Sequence, residues 1–588
     1  MKLSYKLKII RNFVYSLYSY ICFYYLDETL NKNKQKKVFH HFLKSQEIII
    51  IYFVIISLIS NIISVLRFGK KLIYLENNKK KEVFSFLKKI KIIKFQKSIE
   101  LVHALIILST NYNEKVNRMD ISNYDLNNNE LFVENVVIGS GPSGSVTALS
   151  LIEKGKDTLL IESGKYFSIP EQKHSGYEFV NKWLYGGLSG AIGNIDLQYA
   201  SANCLGGGSE INSGLYHEVD QNFITKIYND KKMFDFVKNY EPKDIVEVQK
   251  IHGEELNNLK NIYVNASKTL NWKVENLKKF MNNQTNKKNS MTNTYIKKYL
   301  EMGGKIIDNS KVTKIIETKD TCIIELKNKK KFFKLKCKNL FLCCGSPYTL
   351  NLLKSSRLVP KNINSDFHFH PMFKIIAKYD EKVNSNKSID IIESQITEFF
   401  PNYIFGNAAS GKQFLKISTF NNLNAYKDVE ENFEYMTMFH ATFSLGKSKF
   451  IKIPFLNEPL ISYKFTNKEL SLINEGIENL IKFIFKSGAK YIYLNDKEVT
   501  KINDYDYLRS EKFLNKIKLS LSSVHLLGGM NMLDNKVFEE KMYGKLKNKN
   551  INVFINDSTL LNEKLLKNPQ GAIMAISKAN ITHNLKNI

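Results

Sequence analysis

Residues Asn135–Gly164 read NVVIGSGPSGSVTALSLIEKGKDTLLIESG. The stretch opens on an apolar run, Val136-Val137-Ile138, which reads as a buried strand. Gly139-Ser140-Gly141-Pro142-Ser143-Gly144 follows at once. A helical stretch, Ser145 to Glu153, comes next, then a second apolar strand, Thr158 to Ile161, ending in Glu162. Each piece has a job in a βαβ site for a dinucleotide. Gly139 allows the tight turn from strand to helix, Gly141 lets the backbone approach a pyrophosphate, and Gly144 lets helix and strand pack closely. The helix N-terminus offers N–H groups and the positive end of a dipole to the phosphates. Glu162 stands 18 residues beyond Gly144, where an acid meets a ribose hydroxyl. A Gly-rich loop in an ordinary α/β turn is the bland alternative, and the strand, helix and acid together argue against it. Spacing alone does not separate FAD from NAD.

The chain has 588 residues, enough for two or more large cores. It is 43% hydrophobic and 12% aromatic, which fits a folded protein. The formal net charge of +29 invites a nucleic acid or an anionic membrane as partner. The lysines are scattered, however, and no zinc-ligand spacing or RNA-binding signature accompanies them, so no nucleic-acid partner is expected. Six cysteines, Cys22, Cys204, Cys322, Cys337, Cys343 and Cys344, form no CxxC pair and no regular framework. They read as free thiols in a reducing compartment, with a cytoplasmic catalytic body. No secretory or twin-arginine signal is recognised.

Residues 1–130 differ in character. Asn12 to Leu26 is aromatic and apolar, and Ile48 to Leu66 is 19 residues without a charge, long enough for one membrane span. Basic residues flank both sides, so topology is not fixed. Ser57, Ser60, Asn61 and Ser64 line one helix face, which suits a helix docked on the protein equally well. Both readings stand: membrane contact through residues 12–66, spanning or interfacial, or a docked soluble helix. Leu75 to Thr110 reads as two amphipathic helices, and Asn111 to Glu130 as a linker.

Further along, Tyr199 to Asn212 reads YASANCLGGGSEIN. Gly206, Gly207 and Gly208 permit backbone geometry closed to other residues, and a helix would open at Ser209. A second Gly-rich turn after the first suggests a second wall around one large cofactor. His368 and His370 alternate in FHFHPMF, which reads as a strand with two histidines facing one way; a metal site would need ligands that do not lie near, and none is expected. Glu393 and Glu398 sit in an apolar strand region as pocket acids or, more commonly, as edge groups. Ser520 to Met532 reads SLSSVHLLGGMNM, Val553 to Leu560 reads VFINDSTL, and Asn568 to Ala575 reads NPQGAIMA. His525 and Asn568 fit an imidazole and an amide converging on one substrate atom.

Taken together, and in this order, these stretches resemble the glucose–methanol–choline (GMC) oxidoreductase family from about Leu131 to Ile588. KNSMTNTYI near residue 290, GGKIIDNSKV and NLFLCCGSPYTLNLL belong to the same ordered set. The HLLGG and NPQ pair is most similar to the cholesterol-oxidase and long-chain-alcohol-oxidase branches. The resemblance implies an α/β fold: a Rossmann-like FAD-binding domain, a discontinuous α+β substrate domain and a helical N-terminal extension. The division expected is 1–130 for the extension, 131–220, 301–360 and 501–588 for the FAD domain, and 221–300 and 361–500 for the substrate domain.

The resemblance also implies FAD and oxidation of an alcohol by hydride transfer to flavin N5, with oxygen or another electron acceptor closing the cycle. An apolar alcohol, such as a long-chain alcohol or sterol, is the substrate it implies; a sugar or glycan alcohol, or a non-redox lyase that keeps FAD, are the alternatives. By position, Gly139, Gly141, Gly144 and Glu162 would hold the ADP half, and Val312 would pack at the adenine. Gly206, Gly207, Gly208, Ser209 and Asn212 would border the pyrophosphate and flavin, and Asp557 would sit by the ribityl chain or pyrophosphate. His525 would face the substrate hydroxyl, with Asn568 beside it. Three features depart from the family pattern: Leu526 replaces a proline, Gly571-Ala572 replaces Ala-Thr, and Asn562 to Lys567 is a charged insert.

Overall fold

The computed structural model describes residues 47–89, 121–126, 131–167 and 176–586, together with Ser16 and Ala104. Short internal stretches are excepted: 188, 229, 243–244, 247–253, 283–286, 329–330, 361–362, 364–365, 386–390, 452–458, 506–517, 535, 541, 548 and 562–566. Side chains are described from residue 57 onward in the first helix. The chain forms two compact units: Met1–Lys115 with Pro170–Val180 and Gly411–Phe433, and Val116–Ile169 with Asn181–Ser410 and Glu434–Ile588.

In the smaller unit, helix α1 (Glu47–Phe68) turns through a 3-10 segment, Leu72–Tyr74, into α2 (Asn77–Lys89). The serine stripe of α1 is its inward face. Ser57, Ser60 and Ser64 are buried. Asn61 accepts from Leu72 N–H at 3.2 Å, and Ser64 Oγ donates to Lys70 O at 2.6 Å, so the stripe fastens the turn that follows the helix. Among the described residues no helix is long and apolar enough to cross a membrane. The aromatic stretch Asn12 to Leu26 lies outside the described residues apart from Ser16, as do the second helix expected after Lys89, apart from Ala104, and most of the linker. Helices Lys412–Thr419 and Leu423–Asn432 also belong to this unit, bridged by Lys412 and Lys416 on Glu430.

The larger unit begins with β1 (Phe132–Ile138), α3 (Pro142–Ile152) and β2 (Thr158–Ile161). The elements that matter next are β3 (Asp196–Tyr199), β4 (Leu215–Tyr216), β5 (Lys305–Ile307), β6 (Ser310–Glu317), β7 (Cys322–Asn328) and β8 (Lys331–Leu342). They are followed by β9 (Asp366–Phe369), β10 (Met372–Lys378), β11 (Tyr403–Ala408), β12 (Met436–Phe443) and α4 (Asn467–Lys486). The chain closes with β13 (Ser520–Ser523), β14 (Leu526–Gly528), β15 (Asn552–Ile555) and α5 (Gln570–Asn584).

A seven-stranded sheet runs β5-β2-β1-β8-β7-β6, with β15 on β8. Its centre is parallel: β5 on β2, β2 on β1, β1 on β8 and β8 on β15. Such strands are covered on both faces, which is why they read as unbroken apolar runs. The α/β fold with a Rossmann-like sheet is therefore present. One polar row crosses this core. Asn135, Asn339 and Asn552 stand in register on three neighbouring strands. Asn339 Nδ2 donates to Asn135 Oδ1 at 2.9 Å, and Asn552 Nδ2 donates to Asn339 Oδ1 at 2.7 Å. A second sheet of ten strands contains the run β3-β13-β10-β12-β11, and α4 packs against β12 and β10. A third, of four strands, pairs β14 with β9 and β9 with Lys447–Ile451.

Candidate active site

The first glycine loop is shaped by contacts that leave no room for side chains. Gly139 has φ +99°, and a Cβ there would lie 2.3 Å from Cys343 O. A Cβ on Gly144 would lie 1.8 Å from Gly139 O. Gly141 is the N-cap of α3, with Pro142 opening the helix and no side chain capping it. The helix therefore presents its N-terminal N–H groups and dipole without a competing side-chain acceptor.

Glu162 and Ser140 tie this loop to the second one. Ser140 N–H and Oγ–H donate to Glu162 Oε2 at 2.9 and 2.7 Å, and Gly206 N–H donates to Ser140 Oγ at 3.0 Å. Glu162 Oε1 accepts from Gly164 N–H at 2.7 Å and Ser163 Oγ at 3.0 Å. The carboxylate thus holds four donors at the carboxyl ends of β1 and β2. Gly207, at φ +57°, faces Gly141 backbone to backbone: a Cβ on it would lie 2.7 Å from Gly141 Cα. Gly208 opens a four-residue helix, and a Cβ there meets open space.

Ser209 Oγ donates to Gly206 O at 2.7 Å and accepts from Met291 N–H at 3.0 Å. The KNSMTNTYI stretch is thereby joined to the loop, and Thr292 Oγ adds a 2.7 Å bond to Glu210. Asn212 donates to Gln570 Oε1 at 2.5 Å, which links the second loop to the start of α5. Val312 packs in the apolar core under β1 and β2, beside a bulge in β6. Asp557 is buried at the end of β15. It accepts from Gly345 N–H at 2.8 Å, Thr349 Oγ at 2.5 Å and Thr559 N–H at 2.8 Å. Its side chain thus pins the end of β8 and caps the turn Ser558–Leu560.

His525 lies where the chain leaves the ten-stranded sheet at β13 for the four-stranded sheet at β14. His370 makes the reverse passage, from β9 to β10. Phe369 pairs with Leu526, and Met372 with Ser522, so the two crossings are side by side. Nδ1 of one ring lies 2.9 Å from Nδ1 of the other, with the rings nearly perpendicular at 86°. His370 is fully buried, and its Nε2 has no partner in the protein. Half-buried His525 has its pKa pushed down to about 4 by desolvation, and burial together with the charges of His525 and His368 holds His370 well below its ordinary value. Both rings are neutral at pH 7. Leu526 opens β14 on the β9 ladder, a position where proline would remove a donor.

His217, just after β4, donates from Nε2 to Gln395 Oε1 at 3.1 Å. That leaves Nδ1 as the acceptor for Asn568 N–H at 3.3 Å. Burial, with the nearby charge of Lys567, lowers its pKa to about 3, and His525 adds a smaller push in the same direction. His217 therefore holds the Asn568 backbone and stands within electrostatic reach of His525. The Gly571 departure has a physical reason: a Cβ there would lie 2.6 Å from His217 O and 2.7 Å from the Tyr216 ring. Of the charged insert, residues 562–566 lie outside the described residues.

Lys374 and His440 pair across β10 and β12. Burial brings the Lys374 ammonium down to about 8, and burial with the Lys374 charge brings His440 to about 3. The two candidate acids are engaged elsewhere. Buried Glu393 is ion-paired with Lys260, and exposed Glu398 accepts from Lys273 N–H at 3.0 Å. Among the described residues no group of three or more His, Cys, Asp or Glu is placed to hold a metal ion; His370 turns to His525 instead. Sequence reasoning misses His217, Lys374, His440 and Gln395. The one available signal was a lone polar residue inside an apolar strand, and it does not name a partner.

The family model described as GMC oxidoreductase matches residues 134–372, from β1 into the start of β10. Over that span the chain is similar to the GMC oxidoreductase family. An uncharacterised GMC-type oxidoreductase of Sinorhizobium fredii is 24% identical over 501 residues, covering 77% of this chain and 96% of that protein. A variant of formate oxidase from Aspergillus oryzae RIB40 superposes with a TM-score of 0.59 at 12% identity, covering 78% of this chain and 99% of the other. Pyridoxine 4-oxidase of Mesorbium loti gives 0.57 at 12%, covering 77% and 99%. At that identity the two likenesses bear on the fold alone.

FAD is the cofactor that the likeness to this oxidoreductase family supports. The chain's residues fit the cofactor. Two glycine loops meet backbone to backbone at Gly141 and Gly207, an uncapped helix N-terminus lies at one of them, and Thr559 Oγ and His370 Nε2 are buried polar atoms without a protein partner. A bound group with hydrogen-bonding edges would use that spare capacity.

Proposed function

We propose that the protein oxidises an alcohol to the carbonyl, with His525 receiving or orienting the hydroxyl proton and Asn568 beside it. The observation that carries this reading is the neutral His525 ring held by His370 at 2.9 Å. FAD, when bound, supplies the acceptor for the hydride that leaves the carbinol carbon. The chain's own task is the proton. A neutral imidazole accepts one, and its low pKa returns it readily. For His525 to receive it at Nε2, its own hydrogen sits on Nδ1 and is donated to His370 Nδ1. His370 then carries its hydrogen on Nε2, the atom without a protein partner. His217 fixes the Asn568 backbone through Nδ1, which sets where that amide side chain starts.

Gly139, Gly141, Gly144 and Glu162 are proposed for the ADP half, with Val312 at the adenine. Gly206, Gly207, Gly208, Ser209 and Asn212 are proposed for the pyrophosphate and flavin side. Asp557 is proposed beside the ribityl chain or pyrophosphate, with Gly345, Thr349 and Thr559 holding its carboxylate in place. We assign 131–220, 301–360 and 501–588 to the FAD part, 221–300 and 361–500 to the substrate part, and 1–130 to the extension. The parallel strands all come from the first group, although that group also lends β3 and β13 to the ten-stranded sheet. An apolar alcohol is the proposed substrate; the HLLGG and NPQ motifs and exposed apolar Val524 beside His525 support it. The test is His525→Ala. Flavin should stay bound while its reduction by substrate slows by about 10²–10⁴-fold; an undiminished rate would remove His525 from the chemistry.

A further inference from the structure

Helix α1 is built inside out for a soluble surface. Its serines face inward, and Ser64 and Asn61 are spent on fastening the turn at Lys70–Leu72. Its outward face is apolar. Leu58, Ile62, Val65 and Leu66 follow helical spacing along one side, at 44%, 57%, 44% and 82% exposure. Tyr74, at 74%, lies just beyond the end of the helix. Scattered exposed apolar residues need no explanation, but a continuous row on one helix with the polar stripe turned in does.

The charge beside this row is of one sign. Between Arg67 and Glu82 there are six basic residues and two acidic ones. Arg67, Lys70, Lys71, Lys79 and Lys81 are exposed, and Arg67 is bridged to Glu82 at 3.2 Å. A large leucine and isoleucine face, an aromatic ring at its margin and a cluster of cations at one end are what an interfacial helix presents to an anionic bilayer. A second protein chain would need an acidic counterpart, and the net charge of +29 disfavours a second copy of this one.

We propose that α1 lies in the plane of an anionic lipid surface, with Leu58, Ile62, Val65 and Leu66 in the acyl boundary and the Arg67–Lys81 cations on the headgroups. The contact is interfacial and does not span. It is independent of the flavin chemistry, so it stands or falls without it.

The test is co-sedimentation of the full-length holoprotein with phosphatidylcholine vesicles, with and without phosphatidylserine. About tenfold more protein should pellet with the anionic vesicles, and added salt should release it. Ile62→Glu with Leu66→Glu should abolish pelleting while flavin absorbance is kept. Should the pair disturb folding, Leu66→Gln alone, at the most exposed site, should still lower binding several-fold. Absence of pelleting, pelleting unchanged by these substitutions, or a dimer that the substitutions dissociate without any vesicle binding would each overturn the proposal.

Discussion

Nδ1 of His525 lies 2.9 Å from Nδ1 of His370, at the point where two neighbouring segments cross between the same two sheets. One hydrogen must lie between the two nitrogens, so each ring dictates the other's tautomer. A ring at a sheet crossing is also held by backbone pairing on both sides, which suits a group that must keep its place.

His370 is therefore a positioning residue for His525. His370→Phe should lower kcat by about 10–100-fold with little change in KM, because it removes an oriented proton partner rather than a substrate contact. His370→Gln, which can still accept through its carbonyl oxygen, should recover part of the loss. Stopped-flow flavin reduction by the two variants measures this; equal rates in both would mean that His370 only fills space.

The same neutral histidines make stability depend on pH. His217 and His440 are depressed to about 3 and His525 to about 4, all below the ordinary value of about 6.5. Below pH 6.5 the unfolded chain therefore binds protons that the folded chain refuses. Their contribution to stability is whole above that pH and is lost as pH falls towards 4 and 3, at a limiting slope of about 1.4 kcal/mol per pH unit for each ring. Thermal melting between pH 7 and 5 should show Tm falling, and His440→Gln should flatten the fall. A Tm that rises with acidification would contradict the neutral assignment.

Gly571 tests the seam between α5 and the β4 segment. Gly571→Ala places a methyl 2.6 Å from His217 O, a carbonyl that cannot move without shifting the Asn568 anchor. Activity should fall more than stability does, read as kcat against Tm. A variant with full activity would show that the seam has slack.

The nucleotide-site reading over Asn135–Gly164 is legible in the sequence because every residue type in it answers a local constraint. Gly144 has no alternative with Gly139 O where its Cβ would be. Glu162 is legible as an acid in the right place, whereas its four donors are not, since backbone N–H and serine hydroxyl groups of Ser140, Ser163 and Gly164 turn to it only once the two strand ends lie side by side. His525 stands out through the HLLGG turn. His217, Lys374 and His440 do not, because their relation to His525 depends on strand register and on one crossing between sheets. The serines of α1 are visible as a stripe, but the sequence alone does not say that the stripe faces inward. Asp557 shows the limit of motif reading: its place is given by the motif, and its work as a cap appears only with Gly345, Thr349 and Thr559 around it.

The measurement that tests the central claim most directly is the visible spectrum of the purified holoprotein under anaerobic conditions, followed on addition of a panel of alcohols. The account predicts oxidised-flavin bands that bleach with one class of alcohol, apolar alcohols before sugars. Flavin bands that no alcohol bleaches would contradict alcohol oxidation and favour a reaction without net redox, and a protein that takes up no FAD on reconstitution would contradict the cofactor site itself.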